Sequence, residues 1–270
     1  PTQDLVDQFL VTDEETGKAM PWYETSQYKN NVTVLDPSSI TEAGQVDAYK
    51  QVNGDARRIP TPQDLKQLNK SYPTFTRYHQ LNKGADRDLS ELMYSGRDRR
   101  FYTAIVYDKC SWIGETVELN LGGNLSAGVR DKEDGGWYNT TTGYYWRKGN
   151  IENPTPRAYH NCQVALHFNI VRLGEAYMNL AEAYLLKHDV PNAVKALNMT
   201  RTIHGGLSES TAATEEEAWT DYIRERNCEL TNEGGDIYYS YLRWGKYGGY
   251  ANHGRDAGDI IYDLDRPVYK

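Results

Sequence analysis

"FNIVRLGEAYMNLAEAYLLKHDVPNAVKALNMTR" runs from Phe168 to Arg201, and its spacing decides the fold class. Ile170, Leu173, Tyr177, Leu180 and Tyr184 recur at intervals of three and four, which lays an apolar stripe along one side of a helix. Arg172, Glu175, Asn179 and Glu182 recur in the same way and lay a polar stripe beside it. Asp189 offers its carboxylate to the open N–H groups of a second helix, Pro191 suits that helix's first turn, and "NAVKALNMTR" continues it. Two helices joined by a tight turn within roughly 34 residues, with alanines where the backbones must approach, match a tetratricopeptide-type hairpin. A single hairpin of this kind cannot cover its own outer face, because such arrays reach stability at about three units. Further helical pairs are therefore expected in polypeptide outside this chain.

Downstream, Gly205–Gly206 ends the hairpin, and Thr214 with Glu217 three residues on forms a capping box that opens a third helix through "WTDYIRERNCELTNEGG". Glu225, Glu229 and Glu233 follow each other at steps of four, and three like charges on one face weaken a helix unless cations answer them. Arg226, Arg201, Arg243 or a bound metal are the expected sources, with Arg201 or Arg226 expected to meet Glu175 or Glu182. Upstream, the first 160 residues read as loop-rich. "TPQDL" from Thr61 marks a short helix start, while "RFYTAIVYD" (Arg100–Asp108) and "ETVELNL" (Glu115–Leu121) read as strands. "CSWIG" between them places Trp112 near a turn, and Gly122–Gly123 and "DKEDGG" from Asp131 are further turn signals. The chain thus divides into a loop-rich ligand-binding part with short helices and strands over 1–160, a tetratricopeptide-like helical hairpin over 161–207, and a C-terminal helix with an irregular segment over 208–270. The fold class is mainly α.

A formal charge of −8, from 38 acidic and 30 basic residues, argues against nucleic acid; "GRDRR" (Gly96–Arg100) is the densest basic run and Asp98 interrupts it. No apolar run approaches the ~18–20 residues that span a bilayer. Cys110, Cys162 and Cys228 are odd in number and far apart, which excludes a disulfide framework and a zinc ribbon. Aromatic usage is the abnormal figure: 22 Tyr and 6 Trp stand against 4 Phe. A dry core favours Phe, because a buried Tyr or Trp must find a hydrogen-bond partner, so this bias belongs to interfaces and ligand clefts.

Five segments in order, "PTQDLVDQF" (Pro1–Phe9), "RLGEAYMNLAEAYL" (Arg172–Leu185), "ALNMTRTIHGGL" (Ala196–Leu207), "IRERNCELTNEGG" (Ile223–Gly235) and "RWG" (Arg243–Gly245), resemble the SusD/RagB family. The resemblance covers this chain nearly end to end and corresponds to the C-terminal half of a typical member. Asp236 stands where the family often has an Arg, and "YYSYL" where it has an Asp-Leu before Arg-Trp. The resemblance implies an incomplete SusD-like scaffold, with helical pairs on one side and ligand-binding loops on the other. It also implies a surface lipoprotein of the Bacteroidetes outer membrane, attached only through a lipid anchor absent from this chain. Such proteins capture a nutrient and deliver it to a SusC-like TonB-dependent transporter, as part of polysaccharide utilisation. Glycans are their usual cargo, peptides the documented exception, and they have no catalytic activity and no cofactor.

"GWYNTTTGYYWRKG" (Gly136–Gly149) supplies the candidate platform. A sugar ring presents a face of C–H groups that packs on an aromatic plane, while its hydroxyls need polar partners. Trp137, Tyr138, Tyr145 and Trp146 offer the planes, Asn139 and Arg147 the polar groups, and Trp112 is a further ring. Packing of the loop layer onto the helices, or contact with the transporter, is the competing reading of these rings. Glu225 and Glu229 stand close enough on one helix for the carboxylate pair of a glycosidase, but a structural ion-pair network with the neighbouring arginines is the expected role. Asp131, Glu133 and Asp134 only partly fit a calcium loop, and no metal ligand set is assigned. A glycan-capture protein, a peptide-capture protein and a protein-interaction scaffold remain as the functional readings, in that order.

Overall fold

The computed structural model describes residues 1–35, 78–87, 89–119, 125, 140, 142–150, 152 and 170–244. Helix α1 (Gln3–Gln8) opens the chain, with Thr2 Oγ1 accepting from the Leu5 N–H. Short elements follow: β1 (Val11–Thr12), β2 (Ala19–Met20), a 3-10 turn at Trp22–Glu24, α2 (Ser26–Asn31), β3 (Val32–Leu35), β4 (Tyr78–Leu81), α3 (Leu89–Tyr94) and α4 (Arg99–Ala104). Then come β5 (Ile105–Val106), β6 (Ser111–Trp112), β7 (Glu115–Thr116) and β8 (Tyr145–Trp146), before helices α5 (Leu173–Leu186), α6 (Val190–Ile203), α7 (Glu215–Glu229) and α8 (Asp236–Arg243). Among the described residues the strands pair in antiparallel twos, β1 with β2, β3 with β4, β5 with β8 and β6 with β7, and Val11 of β1 also bridges Arg97. The result is a mainly α fold with a loop-rich layer carrying a few short strands.

The hairpin forms as its spacing predicts. Asp189 caps α6 through the Asn192 N–H, Pro191 sits in its first turn, and the Thr214–Glu217 capping box opens α7. The buried seam, however, is not the predicted stripe. Met178, Ala181 and Leu185 of α5 pack on Ala193, Ala196 and Leu197 of α6 and on Ala218 and Tyr222 of α7. Ile170, Leu173 and Leu180 instead face outward, at 86, 69 and 45% exposure. Small residues let the backbones approach, so the close contact runs along the alanines, and Leu173 and Leu180 are left on the outer face. This outer face is the one a lone hairpin was expected to leave uncovered.

"RFYTAIVYD" is corrected from a strand to a helix followed by two strand residues. Asp98 accepts from the Arg100 N–H at 2.9 Å and so starts α4 despite its aromatic content, while Ile105–Val106 alone join a ladder. In "ETVELNL" the strand is limited to Glu115–Thr116; Val117 still bonds back to Cys110, and the Leu119 N–H donates to the Asp108 carboxylate at 2.8 Å. The helix expected to carry Glu225, Glu229 and Glu233 stops at Glu229, so Glu233 lies on the turn beyond it. "TPQDL", Gly122–Gly123, "DKEDGG" and Cys162 lie outside the described residues.

The loop layer has its own core, in which Phe9, Trp22, Phe101, Ile105 and Tyr144 are at or below 2% exposure. Arg97 ties it together. Its guanidinium donates to the carbonyls of Met93 (2.6 Å), Val6 (2.7 Å) and Phe9 (2.8 Å), closing the C-terminal ends of α3 and α1. This layer docks on the hairpin at Gly205, whose carbonyl accepts from the Arg99 N–H at 2.9 Å. A β-carbon there would stand 2.9 Å from Arg100 Nη2 and 3.1 Å from Asp98 Oδ2, so the close approach depends on glycine.

Candidate functional site

The site is built on the smallest of ladders. Ile105 pairs with Trp146 and Val106 with Tyr145. Successive strand side chains point to opposite faces, so Tyr145 and Trp146 cannot share one surface. Tyr145 turns outward and stacks on Trp112, ring centroids 5.8 Å apart and planes 27° apart, over a small cluster of Val106, Cys110 and Val117. Its hydroxyl accepts from the Thr140 N–H at 3.1 Å. Trp112 is held by the β6–β7 hairpin, whose turn passes through Ile113 and Gly114 at φ 51° and 81°. Its buried indole N–H has no hydrogen-bond partner among the described residues. Trp146 turns inward, packs against the loop-layer core and lines a cleft of about 480 Å³.

Of the five aromatics in the candidate platform stretch, Trp137 and Tyr138 lie outside the described residues, as does Asn139. Tyr144, 2% exposed, belongs to the core: its hydroxyl donates to Gln3 Oε1 at 2.6 Å and sits 3.1 Å from the Tyr94 hydroxyl. Arg147 is spent largely on the scaffold. It donates to the carbonyls of Tyr102 (2.9 Å) and Ser111 and pairs with Glu152 at 2.6 Å, which fixes the end of α4 to the β6 hairpin. The sequence-predicted residues therefore fall into an outward pair (Trp112, Tyr145), an inward ring (Trp146) and a clamp (Arg147). Tyr238 and Tyr241 of α8, which join Trp146 at the cleft, were not singled out. The Tyr excess was the available signal, and it carried no position.

An ion-pair network holds this corner to the helices. Arg100 bonds Asp98 (2.6 Å), Glu225 (2.5 Å) and Glu229 (2.9 Å), all three carboxylates being 1–2% exposed. Arg172 reaches Glu229 and Glu233, the latter at 2.8 Å, and Lys148 joins Glu233 and the Glu229 carbonyl. Asn232 Nδ2 donates to the Lys148 carbonyl at 2.8 Å. The cations answering the acidic face are thus Arg100, Arg172 and Lys148, which corrects the expectation of Arg226, Arg201 or Arg243. Arg201 donates to the Ser208 carbonyl at 2.7 Å instead. Arg226 pairs with Asp236 at 2.6 Å and approaches Glu182 at 3.8 Å, the second of these being the predicted meeting, although Arg243 lies nearer to Glu182 at 2.7 Å. Asp236, at the position where an Arg was the familiar residue, is therefore itself ion-paired.

Burial on its own raises the pKa of Glu229, but hydrogen bonds from Arg172 and Arg100 overcome it and hold the group at about 2. A glycosidase acid needs the opposite displacement. The Glu225–Glu229 pair is a structural junction.

A family model described as the SusD family matches residues 1–270. Among solved structures, the chain is similar to a crystal structure of a SusD-like protein from Bacteroides fragilis, with 23% identity and a TM-score of 0.52, over 91% of this chain and 36% of that one. The chain thus spans about a third of that protein's length. No curated protein matches it.

Proposed function

The chain belongs to the SusD family, and from that premise we propose that it is the ligand-capturing part of a cell-surface nutrient-binding protein, whose cargo is a glycan held without chemical change. The observation that carries this reading is the stacked Trp112–Tyr145 ring pair. A half-buried ring pair offers the flat apolar surface that sugar C–H groups need. Trp137, Tyr138 and Asn139 belong to the same chain segment and extend the platform in this proposal. Delivery goes to a SusC-like TonB-dependent transporter in the outer membrane, with a lipid as the anchor. Among the described residues no helix is long and apolar enough to cross a membrane.

Affinity electrophoresis across a panel of neutral polysaccharides tests the reading. Retardation by one glycan, lost in Trp112→Ala/Tyr145→Ala, is the expected result. Absence of retardation by every glycan, with binding to a peptide library instead, would replace the cargo by peptide and return the ring pair to packing.

A further inference from the structure

Trp146 faces away from the Trp112–Tyr145 pair, and the cleft it faces lies between α1, the Thr142–Trp146 corner and the turn from α7 into α8. Its volume of about 480 Å³ falls within the range of small-molecule sites. Two kinds of surface meet there. Trp146, Tyr238 and Tyr241 contribute aromatic rings, Tyr238 at the rim with 46% exposure and Tyr241 fully buried. Between the rings stand three amide side chains, Gln8, Asn227 and Asn232.

Each amide is half used. Asn227, 1% exposed, donates through Nδ2 to Gln8 Oε1 at 2.7 Å, while its Oδ1 has no partner among the described residues. Gln8 Nε2 and Asn232 Oδ1 likewise make no hydrogen bond among the described residues, Asn232 spending only its Nδ2 on the Lys148 carbonyl. A buried unsatisfied acceptor costs ~1–3 kcal/mol and calls for a donor. Every ionised side chain on the wall is already answered: Asp236 by Arg226, Glu233 by Arg172 and Lys148. Among the described residues the wall offers a charged ligand no unpaired charged side chain. A purely apolar one leaves the amides unsatisfied. A ligand with an apolar face and several neutral hydroxyls fits both surfaces.

We propose that this cleft is a second saccharide subsite, which takes a neutral sugar residue with its C–H face on Tyr238 and Trp146 and its hydroxyls on the free amide groups of Gln8, Asn227 and Asn232. The inference rests on the reading of the protein as a glycan binder, and it divides that binder's aromatic residues between two faces of one strand. The outward pair holds one part of the glycan and the inward cleft another.

Calorimetric titration with neutral cello-, xylo-, manno- and malto-oligosaccharides tests it on the unmodified protein, on Tyr238→Ala, on Thr142→Trp (which fills the cleft) and on Tyr145→Ala. Expected is a loss of roughly tenfold in affinity for the bound glycan in Tyr238→Ala, where a ring contact disappears, and a larger loss in Thr142→Trp. Binding that falls in Tyr145→Ala but stays at the unmodified level in both cleft variants would overturn the subsite and leave glycan capture standing. No binding of any of the four series by the unmodified protein would overturn glycan capture, and the subsite with it.

Discussion

Replacing Arg100 with Met removes the cation shared by Asp98, Glu225 and Glu229. Five N–H···O contacts of 2.5–3.1 Å disappear. Truncating one partner of a buried ion pair costs ~3–5 kcal/mol, because the other charge stays buried without compensation. Three carboxylates are stranded here, but not equally. Glu229 keeps Arg172 and His204, and Glu225 keeps the Thr200 hydroxyl at 2.6 Å. Among the described residues Asp98 retains only the backbone N–H of residue 100. The expected loss at pH 7 is therefore about 4 kcal/mol, the middle of that range. The pH dependence has a definite sign. Glu229 in the folded protein titrates at about 2, against 4.5 as its ordinary value, so its contribution is present above pH 4.5 and is lost as pH falls toward 2. That difference amounts to about 3 kcal/mol. In Arg100→Met the Glu229 carboxylate loses one of the two guanidinium partners that hold its pKa down and protonates more readily, so the gap between variant and unmodified protein narrows on going from pH 7 to pH 4. Urea unfolding followed by tryptophan fluorescence at both pH values measures the gap. A loss below 1 kcal/mol at pH 7, or a gap that stays constant down to pH 4, would refute the description of this junction as a charge-paired one.

Three further outcomes are expected. Arg97→Met removes the guanidinium donor from the Met93, Val6 and Phe9 carbonyls, of which Val6 keeps the Phe9 N–H, and lowers stability by about 3 kcal/mol, read as a shifted urea midpoint; Arg97→Lys recovers only part, since an ammonium cannot span three carbonyls in fork geometry. Gly174→Ala places a β-carbon against the Glu229 carboxylate and the Arg172 guanidinium and costs about 1–3 kcal/mol, whereas the same change at an open helical site gains stability, so a neutral result counts against the close packing of α5 on α7. Thr214→Ala removes the side-chain half of the capping box and costs about 1 kcal/mol, with amide exchange accelerated first at the start of α7.

Local signals were legible in the sequence where they acted locally. The Asp189 cap, Pro191 and the Thr214–Glu217 box each depend on residues within one turn, and each forms as read. The face of α5 that becomes buried was not legible, because Leu173 and Leu180 outweigh Ala181 in any count of apolar residues. Which side packs was decided by how closely α6 and α7 approach. The strand reading of "RFYTAIVYD" failed for a related reason: β-branched and aromatic residues were counted, while the single Asp98 cap that starts α4 was not. At the site, the rings were recognisable but not their division. Neither Arg100 nor Lys148 lies near the acidic helix in sequence, so the cations that hold the corner in place had no local signature.

The two-residue ladder of Tyr145–Trp146 on Ile105–Val106 has a consequence for how this segment tolerates change in length. Side-chain direction in a strand has a period of two, so a single inserted or deleted residue shifts every ring to the other side. The sequence just before Tyr144 is rich in threonine and glycine, a composition that ordinarily drifts in length without effect. Here such an indel would exchange the outward and inward rings and carry Tyr144 out of the core. A change of one in the residue count of this loop therefore inverts the site.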